Sequence, residues 1–338
     1  MATYKGIQGY TVQKLASDPT ASEIEGQLFY NSATGKFKIG ATTTAAWSSG
    51  GTMNQGRLQI SNSGTGTASL AFGGYNPTPG VPYGNTESYD GSSWTEVADL
   101  NTSRGGCSGA GTQTSAIAIG GATTPPTVVG VVEDWNGTSW TEGTALTVAR
   151  TEVFGIGFTN TAALAVGGKT PSAAFTNNES WNGTSWTELA DIGTARYIGA
   201  RGGTPTSAIV AGGDTKPPSA QSVTETWNGT SWTEVSNLNQ ARFRVGGAGA
   251  SATAALAFGG GPNPSGGAYF ALTESWNGTS WTEVADMVTA GGYFQGAGQS
   301  ATNAMRTSGQ IASPTTFGTT VSEEWNDPAF TIKTVTVS

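Results

Sequence analysis

The side chains best suited to chemistry are carboxylates and guanidiniums that recur in register. Glu87, Glu133, Glu179, Glu225, Glu274 and Glu323 each stand two residues before an aromatic residue. Arg57, Arg104, Arg150, Arg196 and Arg242 each stand ten residues after a tryptophan, and Gly291 breaks the series. Paired carboxylates can hydrolyse glycosides. An active site, however, needs one asymmetric pair, and these positions repeat along the chain. The expectation is therefore an Arg–Glu network that orders the repeats, since repeated opposite charges suit structural pairing. Glu152 and Asp214 fall outside the pattern, and nothing in the sequence marks them as a pair. There is no histidine, which removes the commonest metal ligand and general base. The single cysteine, Cys107, is expected to be a small buried hydrophobe in a strand. No catalytic residue, metal or cofactor is expected, and the chain reads as a non-enzyme.

The elements that carry these residues follow from composition. Of 338 residues only 11% are charged, and 51 are glycine, which points to short strands, tight turns and close packing. The 11 Trp, 12 Phe and 9 Tyr supply the core that a disordered glycine-rich chain lacks. A net charge of −8 argues against nucleic acid, whose phosphates need clustered Lys and Arg. No apolar run is long enough for a membrane helix, so no membrane insertion is expected. The first residues show no secretory apolar core either.

The internal repeat dominates the sequence. Trp-Asn-Gly-Thr-Ser-Trp occurs four times, pairing Trp135 with Trp140, Trp181 with Trp186, Trp227 with Trp232 and Trp276 with Trp281. A variant runs from Tyr89 to Trp94, and a worn copy from Trp325 to Phe330. Gly-Gly pairs begin at Gly73, Gly120, Gly167, Gly212 and Gly259, with Ser308-Gly309 sixth. The intervals are 47, 47, 45, 47 and 49 residues. Each unit reads as four strands, A to D. An Arg opens a small-residue strand A, an apolar strand B ends in Gly-Gly, a Pro- and Gly-rich loop leads to the Glu-x-Trp strand C, and a tight turn leads to the Trp-Thr-Glu strand D.

The C–D hairpin follows from geometry. Two tryptophans five apart centre a two-residue turn on Gly137-Thr138, and glycine first suits a type II′ turn. Trp135 then faces Trp140 in a non-hydrogen-bonded pair. An Asn-Gly type I′ turn is the competing register. Because the aromatics recur at one place in each unit, packing between units is favoured over sugar stacking. The Asn-Gly-Thr triplets at Asn136, Asn182, Asn228 and Asn277 match a glycosylation pattern, but the turn accounts for them.

With its Gly-Gly after strand B, aromatic in strand C and following Trp, the chain resembles the kelch repeat family over roughly residues 47–338. The resemblance implies an all-β, six-bladed kelch-like β-propeller of four-stranded antiparallel blades. Six complete A–D sets would close such a ring. The short C–D turn departs from the usual kelch unit, and the missing histidines exclude a copper oxidase of the kelch type.

On this topology the B–C loops share one face with the D–A connections, and the loops differ where the turns repeat. They span residues 75–83, 123–126, 169–171, 216–218 and 262–270, and offer Tyr75, Tyr83, Lys169, Lys216, Tyr269 and Phe270 as candidate binding residues. Residues 1–46 lie outside the units. They read as an attachment segment with a hairpin, Leu28 to Asn31 and Lys36 to Ile39, turning at Gly35. This segment resembles a module of bacteriophage virion proteins, especially tail fibres and other appendages. The resemblance implies a structural protein exposed on the virion after assembly in the host cytoplasm. Its implied partners are other virion proteins through residues 1–46, sister chains in a homo-oligomer, and a host-surface glycan or receptor. The alternatives are a glycan- or receptor-binding adhesin using the B–C loops, and a polysaccharide-active propeller enzyme.

Overall fold

The computed structural model describes residues 12–19, 27–42, 44–76, 80–124, 127–262, 268–311, 318–327 and 330–335. Parts of the loops named above, residues 77–79, 125–126 and 263–267, lie outside the described residues, as do residues 25–26 of the N-terminal segment. The chain forms two compact units, residues 46–326 and residues 1–45 with 327–338. Among the described residues no helix is long and apolar enough to cross a membrane.

The larger unit is a six-bladed β-propeller. Blade 1 takes Ser61–Thr65, Ala68–Phe72, Thr86–Tyr89 and Trp94–Val97 as strands A to D, and blade 2 takes Ser108–Gly111, Ala116–Ile119, Val132–Trp135 and Trp140–Glu142. Blade 3 takes Phe154–Thr159, Ala162–Val166, Asn178–Trp181 and Trp186–Leu189. Blade 4 takes Ala200–Thr204, Ser207–Ala211, Thr224–Trp227 and Trp232–Val235, and blade 5 takes Gly246–Ser251, Ala254–Phe258, Thr273–Trp276 and Trp281–Val284. Strand B is buried along nearly its whole length in each of these blades, because a blade packs on both of its faces. Phe72 of blade 1 thus shares a cluster with Cys107, Ala116, Trp135 and Trp140 of blade 2. Met53, Ile60, Tyr89 and Trp94 of blade 1 do the same with Ala297 and Met305 of blade 6.

Blade 6 corrects the expected closure. Its strands Asn303–Thr307 and Ser322–Asn326 are followed in the sheet by Ala46–Ser49, from the other end of the chain. Trp47 stands opposite Trp325, with ring centres 5.7 Å apart, where the sequence reading placed Phe330. The backbone at Phe330–Thr334 instead pairs with Lys36–Thr42. The sixth sheet is therefore closed by the strand at the start of the repeat region, whose Trp47 precedes Arg57 by the usual ten residues, and the propeller ends at residue 326 rather than 338.

The smaller unit is a sheet in the order Gln13–Leu15, Leu28–Asn31, Lys36–Thr42, Phe330–Thr334, with only the first pair parallel. The expected hairpin forms, and Gly35 turns it at φ +67°. Asp18 holds the sheet by accepting from Lys38 Nζ at 2.6 Å and Asn31 Nδ2 at 2.5 Å.

Glycine lets the inner strands approach backbone to backbone. A Cβ on Gly247 would lie 2.3 Å from Arg201 N, and one on Gly109 2.4 Å from Asn62 O. The hairpin forms in the type II′ register. Gly137 adopts φ +93°, Asn136 N donates to Ser139 O at 3.3 Å, and Trp135 faces Trp140 at 5.3 Å. The Asn136 side chain also accepts from Thr138 N and Ser139 N, both at 2.9 Å, which explains the asparagine.

The second aromatic of each hairpin reaches the preceding blade. Trp140 Nε1 donates to Thr86 Oγ1 at 3.0 Å, Trp281 to Thr224 at 3.0 Å, Trp47 to Thr273 at 2.9 Å and Trp94 to Ser322 Oγ at 3.4 Å. The equivalent positions carry Val132 and Asn178 ahead of blades 3 and 4. Trp186 turns to Thr144 O at 3.1 Å, while Trp232 Nε1 and Asn178 Oδ1 are both buried without a partner. Asn178→Thr is expected to supply the missing hydroxyl and raise stability by about 1 kcal/mol, read as a higher midpoint of unfolding.

Each recurring Arg meets the Glu of its own blade. Arg57–Glu87 is 2.8 Å, Arg150–Glu179 2.6 Å, Arg196–Glu225 3.0 Å and Arg242–Glu274 2.7 Å, and Arg104 pairs with Glu133. These guanidiniums are 0% exposed. The carboxylates also accept backbone N–H groups of the connection from the previous blade, such as Asn101 to Glu133 at 2.7 Å and Gly193 to Glu225 at 2.6 Å. The Arg side chains hold the Gly-Gly carbonyls, as with Arg150 to Gly167 O at 2.7 Å and Arg242 to Gly259 O at 2.9 Å. The pairs thus clamp each inter-blade connection to strands B and C. Blade 6, where Gly291 replaces Arg, keeps the clamp: Arg306 of its strand B reaches Glu323 at 3.4 Å and Thr289 O at 3.2 Å. A Cβ on residue 291 would lie 2.9 Å from Gln310 O, so the close backbone approach there calls for glycine.

The strand-C position before the aromatic is charged in two blades: Glu324 of blade 6 accepts from Tyr89 Oη, and Asp134 of blade 2 is the discordant one. Burial raises its carboxyl from 3.8 to about 6, and Oδ1 has no hydrogen-bond partner. A raised folded-state value means the folded chain holds this proton more tightly, so ionisation opposes folding as pH rises through about 4 to 6. Blades 1, 3 and 5 carry Ser88, Ser180 and Ser275 at this position. Asp134→Ser is expected to raise the thermal midpoint at pH 7, the gain shrinking as pH falls through that window.

Candidate functional site

Two residues beyond each Arg register, one residue per blade surrounds the axis on the B–C loop face. They are Gln59, Gly106, Glu152, Ile198, Arg244 and Tyr293, with φ of +50°, +62°, +56°, +50°, +58° and +63°. Five are not glycine, and such conformations cost of order 1 kcal/mol or more each. Blade-to-blade hydrogen bonds hold them there. Gly106 N donates to Gln59 O at 3.1 Å, Glu152 N to Gly106 O at 2.7 Å, Ile198 N to Glu152 O at 3.2 Å and Arg244 N to Ile198 O at 3.0 Å. Gln59 N donates to Tyr293 O at 3.2 Å, joining blade 1 to blade 6. Gly247 N donates to Gln295 O at 3.1 Å, joining blade 5 to blade 6. The circle is closed by these bonds.

The side chains on this ring do not repeat, and they assemble a polar and aromatic cluster. Glu152 is buried and accepts from Gln59 Nε2 and from Lys169 Nζ, the latter at 2.9 Å. Lys169 Nζ stands 4.3 Å from the centre of the Tyr197 ring. Tyr197 donates to Asp214 Oδ2 at 2.9 Å, and Asp214 Oδ1 accepts from Thr215 N at 2.9 Å and Ser219 N at 2.6 Å. Arg244 lies 3.3 Å from the Tyr293 ring centre and 4.5 Å from that of Phe243. Its Nη1 donates to Tyr269 Oη at 3.1 Å, and Tyr269 donates to Gln310 Oε1 at 2.9 Å.

The electrostatics follow from burial. Desolvation raises the phenol of Tyr293 to about 12 although Arg244 pulls the other way. Desolvation and the neighbouring Asp214 raise Tyr197 further. These phenols therefore stay protonated and act as neutral donors. Glu152 and Asp214 are both committed to protein donors, so the cluster offers cations, phenols and ring faces rather than a free carboxylate. Among the described residues no three His, Cys, Asp or Glu side chains gather closely enough to hold a metal ion.

The candidate loop residues separate into three groups. Lys169 and Tyr269 join the cluster. Tyr75 is buried against Gly105 and donates to Ala122 O at 3.1 Å, so it packs blade 1 on blade 2 rather than facing a ligand. Tyr83 is half-buried and accepts from Gln55 Nε2 at 3.0 Å; Phe270 is half-buried, and Lys216 is exposed in the loop after Asp214. Sequence reasoning missed Tyr197, Arg244 and Tyr293, and left Glu152 and Asp214 unpaired although Lys169 and Tyr197 connect them. The available signal was the fixed offset of two from the Arg register, where residue type varies in every unit.

The fold and site define a six-bladed β-propeller with one repeating face and one individual face. The chain matches no family model and no curated relative.

Proposed function

We propose that the chain is a non-enzymatic virion component of a bacteriophage, a tail-fibre, appendage or capsid-surface protein. Its propeller presents the B–C loop face for assembly or host contact, and the smaller unit attaches it to other virion proteins or to sister chains. The observation that carries this reading is the division of labour within the propeller. The Asn-Gly turns repeat almost unchanged from blade to blade, whereas Glu152, Lys169, Tyr197, Arg244, Tyr269 and Tyr293 gather on the other face. Individual side chains on a rigid scaffold suit recognition. The kelch-like units and the phage-like N-terminal segment support the virion setting. The chain should be recovered with the structural proteins of gradient-purified particles, and its absence from those particles would overturn the assignment.

The adhesin reading is favoured by one observation, the half-buried Arg244 stacked on Tyr293, because tyrosine faces and cations together suit sugar recognition. A glycan array compares the native chain with Arg244→Ala and Tyr293→Ala. Signal lost in both variants supports it, and signal unchanged in both removes it.

A further inference from the structure

Five residues beyond each Arg register, the innermost strands present Asn62, Gly109, Gly155, Arg201, Gly247 and Gly296. Arg201 is the only charged side chain in this layer, and its reach is spent across the axis. Its Nε donates to Gly155 O of blade 3 at 2.7 Å, Nη1 to Gln295 O of blade 6 at 3.4 Å and Nη2 to Gly109 O of blade 2 at 3.4 Å. A guanidinium carries five N–H donors, and two of these three bonds are long. Every other buried arginine of the propeller has a glutamate partner, and Arg201 has none. Burial lowers it to about 10, so it remains a cation at neutral pH.

This cation lines an axial cavity of about 40 Å³ that opens partly to solvent. The walls are the strand-A residues running from the Arg201 layer toward the A–B turns, among them Gly64, Gly111, Gly157, Gly203, Gly249 and Gly298. No Asp or Glu lines it, and its only charged lining residue is Arg201. A buried charge with neither counter-ion nor full hydrogen bonding is costly. The glycine walls leave room for a small ion with a water or two beside it, since a cavity needs only about 10–15 Å³ of such volume to hold one water.

We propose that the axial cavity is an anion site in which Arg201 binds a small monovalent anion of the halide class and thereby ties blades 2, 3, 4 and 6 together. The site lies apart from the B–C face cluster and stands whether or not the virion assignment holds.

The test uses the full chain. Crystals soaked in bromide are expected to show an anomalous peak in the cavity against Arg201. Replacing methanesulfonate by chloride at constant ionic strength is expected to raise the thermal midpoint by a few degrees. That rise should vanish in Arg201→Gln and persist in part in Arg201→Lys. An empty cavity in the bromide map, or a chloride response equal in native and Arg201→Gln chains, overturns the proposal. Should Arg201→Gln fail to fold, the bromide map of the native protein decides alone.

Discussion

Arg150→Ala is expected to destabilise the propeller by about 3–5 kcal/mol, the usual cost of removing one partner from a buried ion pair. The loss comes from several groups at once. Glu179 keeps a buried charge without its cation, and Gly167 O and Asn177 O lose donors at 2.7 and 2.9 Å. Burial already pushes the Arg150 guanidinium below its ordinary value, and Glu179 pulls it back, so the pair survives only as a pair. Replacing both partners by methionine should recover part of the loss. Recovery stays partial because Thr147 N, which donates to Glu179 at 2.9 Å, loses its acceptor. Equilibrium unfolding in urea measures both variants, and an unchanged midpoint for Arg150→Ala would show that the clamp contributes nothing.

Trp47→Ala is expected to cost a similar amount, about 3–5 kcal/mol, as for other buried tryptophans. Trp47 is 6% exposed, packs edge-on to Phe258 at 4.8 Å, faces Trp325 and donates to Thr273 of blade 5. Its removal loosens blade 6 and its contact with blade 5 together. Trp186, half-buried and without the Thr partner, is the matched control, and its alanine variant should cost distinctly less. Equal losses in the two variants would mean that Trp47 has no special part in closure.

These residues also show what a linear reading can and cannot reach. The hairpin register was legible because Trp135, Gly137 and Trp140 carry the turn chemistry locally. The clamp was legible because Arg and Glu recur at fixed offsets. The closing strand was not, because Ala46–Ser49 is not joined to its partner by the Asn-Gly turn and finds that partner, Ser322–Asn326, at the far end of the chain. Arg306 was hidden for a related reason: the guanidinium of blade 6 comes from strand B, so the gap at Gly291 looked like a loss. The site was hardest to see. Left-handed backbone at Gln59, Glu152, Ile198, Arg244 and Tyr293 leaves no mark in residue type, since only Gly106 of that ring is a glycine. Convergence of Lys169, Tyr197 and Arg244 depends on curvature that brings separate blades around one axis.

The strand beginning at Ala46 seals the sixth blade and so shuts the ring. Ala46 lies opposite Asn326 at the exposed end of that sheet. Directly paired positions of this kind sit at a Cα separation of about 5.5 Å, which a disulfide spans. In an Ala46→Cys, Asn326→Cys chain under mild oxidation, an internal disulfide should form in the monomer, while buried Cys107 stays reduced. Free thiols at both positions, or a bridge only between chains, would contradict the closure.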